Sequence, residues 1–64
     1  MDNGLIIADF LLDKGVSRNK LSKLLEKDRR HLYNLIIGKY VISEEDKEKL
    51  NEIFKSYNYG KRIK

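Results

Sequence analysis

Residues 15–39 read GVSRNKLSKLLEKDRRHLYNLIIGK, and their spacing predicts two short helices joined by a tight turn. Ser17 is a good N-cap, and Leu21, Leu24 and Leu25 recur at helical spacing over Lys20–Glu26. Asp28 is a second N-cap type, after which Leu32, Leu35 and Ile36 share one face of a helix from Arg29 to Ile37 that Gly38 closes. Only Glu26, Lys27 and Asp28 separate the two stripes, which is the length of a helix–helix turn.

Two flanking helices complete the pattern. Upstream, an apolar segment from about Leu5 to Asp13 ends at Gly15, a good left-handed C-terminal residue. Downstream, Ser43-Glu44-Glu45-Asp46 has a capping-box pattern, followed by Leu50, Ile53, Phe54 and Tyr57 at i, i+3, i+4, i+7. Proline is absent from the 64 residues, which favours helices over a turn-rich β fold. The expectation is an all-α bundle of four short helices, or five if the tail adds one. Residues 1–57 would form a helix-turn-helix domain, with the motif at about 17–38, and 58–64 a basic C-terminal tail.

Residues 15–39 resemble the Cro-type, lambda-repressor-like helix-turn-helix family. The matching features are the Gly15-Val16-Ser17 opening and Ser22, which stands where the family keeps a small residue for close helix packing. Leu32 and Leu35 match the apolar anchors of the second helix, and Gly38-Lys39 follows it as in many members. One departure is Glu26, at a turn position usually held by glycine; a left-handed backbone there costs a glutamate about 1 kcal/mol. The resemblance covers about 25 residues closely and about 55 loosely. It implies duplex-DNA binding, with the positions of Arg29, Arg30 and Asn34 reaching base edges and that of Arg18 meeting the DNA backbone.

Charge supports the same reading independently. The net charge is +4, but residues 17–40 carry seven bases (Arg18, Lys20, Lys23, Lys27, Arg29, Arg30, Lys39) against Glu26 and Asp28. Residues 1–16 and 41–56 are net acidic, and Lys61, Arg62 and Lys64 make the tail basic. Such asymmetry points to a polyanion partner. Lys27, Arg29 and Arg30 surround a helix N-terminus, where cations oppose the helix dipole at about 0.3–1 kcal/mol each. Glu44, Glu45 and Asp46 do the opposite at the last helix, where acids suit the dipole. A local choice against stability is expected at functional sites.

Direct readout of bases needs forked donors or a paired donor and acceptor: arginine suits guanine, and asparagine suits adenine. Arg29, Arg30, Tyr33 and Asn34 are therefore the candidate base readers, Tyr33 packing on a thymine methyl or bonding a phosphate. Ser17, Arg18, Asn19, His31, Lys39 and Tyr40 are the candidate phosphate contacts. The first helix has more apolar surface than a surface helix uses: Ile6 to Leu12 span about 240° of the wheel, against the roughly 100° needed. The surplus can cover the core, take the tyrosine-rich tail, or form a dimer seam. A seam of Ile7, Leu11, Leu24 and Ile37 is the favoured outcome, because proteins of this type read paired half-sites about 34 Å apart. The tail itself suits a DNA arm, a dimer strand or plain disorder.

Several classes are excluded. With no cysteine and one histidine there is no disulfide framework or zinc site. No glycine-rich phosphate loop or spaced catalytic constellation appears, so neither an enzyme nor a cofactor is expected. The longest apolar runs are far short of the roughly 20 residues of a membrane span. The acidic MDNG start lacks the positive region of a signal peptide, so the expected location is the cytoplasm. A bias to Lys, Ile, Asn and Tyr suggests an AT-rich source, bacterial or phage. The expected function is a DNA-binding transcriptional regulator of the repressor kind, a homodimer on a palindromic operator. Two alternatives stand beside it. One is a protein-interaction module of the same fold, antitoxin- or antirepressor-like, using the first helix. The other is general RNA binding, which a chain without a sheet of aromatics suits less well.

Overall fold

Four side-chain caps start the four helices of this chain. The computed structural model describes residues 2–64, in which α1 is Asn3–Lys14, α2 Arg18–Leu25, α3 Arg29–Ile36 and α4 Glu44–Ser56. Asp2 accepts from the Leu5 N–H (2.9 Å), Ser17 from Lys20 (3.0 Å), Asp28 from His31 (2.7 Å) and Ser43 from Asp46 (3.1 Å). Each bond satisfies a backbone donor that a helix start would otherwise leave unpaired. The all-α expectation holds, and no described residue forms a strand. Because Asp2 acts as a cap, α1 starts two residues earlier than its apolar stripe suggests.

Gly15 ends α1 with a left-handed backbone (φ 63°), and Glu26 ends α2 in the same way (φ 64°, ψ 35°). Glu26 thus adopts the conformation that a glycine would take without strain. Its exposed carboxylate meets Lys49 Nζ of α4 at 3.1 Å, and this hydrogen bond raises the lysine's pKa above its ordinary value. The Glu26–Asp28 turn is three residues long, and α3 packs against both α1 and α2, while α2 also packs on α4.

The core takes Ile6, Ile7 and Phe10 from α1, Leu21 and Leu25 from α2, Leu32 and Leu35 from α3, and Leu50 and Phe54 from α4. Ser22 is buried among them, its Oγ donating to the Asn19 carbonyl at 2.8 Å. Gly4 lets α1 approach α3 closely. A Cβ at that position would lie 2.2 Å from the Ile36 carbonyl oxygen.

The last six residues finish this core. Tyr59 and Ile63 are buried, Ile63 completely. Tyr59 stacks edge-on against Phe10 and Phe54, with ring centroids 5.2 and 5.0 Å away. Its hydroxyl donates to the Asp9 carboxylate and lies 3.3 Å from the Ile6 carbonyl. Two asparagines hold the extended segment as a neighbouring strand would. The Asn51 amide accepts from the Ile63 N–H (2.7 Å) and donates to its carbonyl (3.0 Å), and Asn3 makes the same pair of bonds with Lys64 (3.3 and 3.1 Å). The surplus apolar surface of α1 therefore receives the tail, and no fifth helix forms.

That outcome corrects the seam expected on α1. Ile7 is fully buried and so is not free to meet a second copy, and Leu11 is partly packed against the core. Leu24 and Ile37 do remain exposed. No helix among the described residues is long and apolar enough to cross a membrane.

Candidate nucleic-acid interface

The first residues of α2 and α3 come together on one side of the molecule. Arg18 opens α2, and Arg29 and Arg30 open α3. These three, with Tyr33 one turn further along α3, line an exposed concavity of about 340 Å³. The guanidinium of Arg18 lies over the Tyr33 ring, 5.8 Å from its centroid. None of the three arginines is paired with a carboxylate among the described residues, whereas Lys14, Lys47, Lys49 and Lys61 each have one. Four residues chosen from sequence as DNA contacts are thus gathered into one uncompensated basic hollow.

Asn34 does not join them. On a helical wheel it lies opposite the Leu32–Leu35–Ile36 stripe, yet it is only 7% exposed. The chain after α3 turns back over the helix end, with Gly38 in the left-handed region (φ 81°). The N–H groups of Lys39 and Tyr40 both bond to the Asn34 carbonyl, at 2.9 and 3.2 Å. Asn34 is buried beside this returning loop, which corrects its expected role at a base edge. The exposed face of α3 is instead Arg29, Arg30 and Tyr33, continued by Ile37.

His31 points away from the hollow. Its Nε2 lies 2.9 Å from Oδ2 of Asp46, a carboxylate buried at the start of α4. This pair ties the first turn of α3 to that of α4, and it engages one of the two ring nitrogens that a phosphate contact could use. The capping-box pattern is half realised as a result. Asp46 receives the Ser43 cap on its N–H but sends its carboxylate to His31, and its Oδ1 has no hydrogen-bond partner among the described residues.

The remaining phosphate candidates frame the hollow less tightly. Ser17 and Asn19 are exposed beside Arg18, although the Ser17 hydroxyl is already engaged as the α2 cap. Lys39 and Tyr40 are exposed and follow α3 in the chain, and the Tyr40 ring reaches back to 5.7 Å from that of His31 in the first turn. The described residues contain no group of three or more His, Cys, Asp or Glu placed to hold a metal ion.

A second surface feature lies at the C-terminal end of α3. Leu5, Ile37, Tyr40 and Val41 are all exposed, Val41 almost completely, and with Asp2, Asn3, Leu35 and Ile36 they line a groove of about 520 Å³ that is polar and apolar in similar measure. Of this set the sequence placed only Ile37 in a seam, and it gave Tyr40 a phosphate instead. The others come together because the Gly4 contact brings the start of α1 against the end of α3. No protein-family model, curated protein or solved structure matches the chain.

Proposed function

We propose that this chain is a sequence-specific duplex-DNA-binding protein, a transcriptional regulator of the repressor kind that acts in the cytoplasm. In this reading α2, its three-residue turn and α3 act as a helix-turn-helix, and α3 enters the major groove. The observation that carries it is the hollow of Arg18, Arg29, Arg30 and Tyr33, whose arginines lack carboxylate partners. A cluster of unpaired cations on one face is the electrostatic footprint of a polyanion partner. Arg29 and Arg30 are the base readers, each able to donate two hydrogen bonds to one guanine. Arg18 and Lys39 contact phosphates.

One module of this size covers little DNA, so the reading includes a second copy on a palindromic site. The groove of Leu5, Ile37, Tyr40 and Val41 is the surface we assign to that contact, in place of the seam through Ile7 and Leu11. Because the end of α3 lines it, a two-fold axis there relates two α3 helices through their C-terminal ends.

Selection of bound duplexes from a random pool tests the reading. A palindromic consensus is the expected result, and failure to enrich any sequence overturns it. On the selected site, Arg30→Ala should cost about 1–3 kcal/mol and relax preference at one base pair. Each phosphate-contacting cation removed should lower the salt slope by about one. This groove, with its exposed Leu5 and Val41, also suits a second reading, a protein-interaction module of antitoxin or antirepressor type. Capture of a defined protein through Leu5 and Val41, with no duplex bound at low salt, favours that module.

A further inference from the structure

We propose that Tyr33 is a positioning residue: its ring is a platform that holds Arg18 in place, so that Arg18 meets a backbone phosphate at the edge of the hollow it shares with the base readers Arg29 and Arg30. The nucleic-acid reading above supplies the source of that phosphate, as a backbone phosphodiester. The arrangement itself is a property of the hollow.

The cluster is costly to hold together. Three guanidiniums share one concavity with no carboxylate partner among the described residues, and two of them sit where the α3 dipole already disfavours positive charge. An anion bound in the hollow relieves both penalties at once. Guanidinium groups match the oxygen geometry of phosphate and bind it through paired hydrogen bonds. The hollow has the volume of about ten water molecules, which suits a phosphate with part of its sugar chain.

Arg18 is the member that needs support. Arg29 and Arg30 are adjacent on one helix, but Arg18 belongs to another, and its long side chain would otherwise sample many rotamers. An aromatic face within about 6 Å of a guanidinium attracts it, and the Tyr33 ring is 5.8 Å away. With one face occupied in this way, Tyr33 is less available to a thymine methyl than its exposure suggests. It also differs from the other tyrosines in the helical and tail segments, since Tyr57 and Tyr59 pack on Phe10.

Binding of the full chain to random-sequence duplex and to inorganic phosphate tests the proposal. Tyr33→Phe keeps the ring and should bind like the parent. Tyr33→Leu should weaken every duplex alike, by about two- to fivefold. In the Tyr33→Leu background, Arg18→Ala should cost less than it does alone, because the two side chains act as a pair. Additive losses overturn the proposal. So does a Tyr33→Leu protein that binds random duplex normally but changes preference at one base pair, the behaviour of a base reader. If no duplex binds, the DNA reading fails, and a phosphate titration followed by NMR decides the positioning role separately. Arg18 Nε–H and Tyr33 ring signals that shift together in the parent but not in Tyr33→Leu support it, and no shift in the parent overturns it.

Discussion

Gly4 and Asn34 are ordinary polar-helix letters in the sequence, yet each has its role decided by backbone from elsewhere in the chain. At Gly4 the neighbour is the Ile36 carbonyl, a backbone group that cannot swing aside. Gly4→Ala should therefore lower stability by about 1–3 kcal/mol in urea unfolding, although alanine is the better helix former. A neutral or stabilising result would mean that α1 does not meet α3 so closely. Asn34 is buried beside the loop that its own carbonyl helps to fold back. Glu26 is the residue whose conflict was legible in advance: a position that invites glycine holds a glutamate, and its backbone does turn left-handed.

The helices were readable because the forces that set their ends act over three or four residues. Asp28 and Ser43 cap α3 and α4 where the letters indicate, and the apolar stripes point into the core. The basic hollow was legible in part, since Arg29, Arg30 and Tyr33 lie on one face by spacing alone. That Arg18 reaches them from α2 depends on how the two helices pack, which no periodicity encodes. The Asp46–His31 tie was hidden for a similar reason, as a local capping signal disguised a contact between helices. The contrast between the two helix starts is open to measurement. Arg29→Glu should raise thermal stability by about 0.3–1 kcal/mol through the α3 dipole while abolishing duplex binding. Loss of stability in that variant would remove the case that this helix start is built against folding.

At the scale of the molecule, a 64-residue domain has a small margin, and this one obtains part of it from residues 59–64. Ile63→Ala should cost about 2–5 kcal/mol, as for any fully buried aliphatic, and a loss of less than about 1 kcal/mol would show the tail to be loosely held. The Asp9–Tyr59 tether adds a dependence on pH. The hydrogen bond from Tyr59, and then that from Lys61, hold the Asp9 carboxyl below its ordinary value of 3.8. A carboxyl lowered in the folded state stabilises fully above its unfolded pKa, and that contribution is lost as pH falls through the folded one. Unfolding curves measured from pH 6 down to about pH 2 should therefore decline less steeply for Asp9→Asn than for the parent. Equal slopes would mean that this carboxyl does not titrate with folding. The tail's place in the core also bears on synthesis. A ribosome makes the four helices before Tyr59, so the nascent chain carries Phe10 and Phe54 without the ring that packs edge-on against both until that residue has emerged.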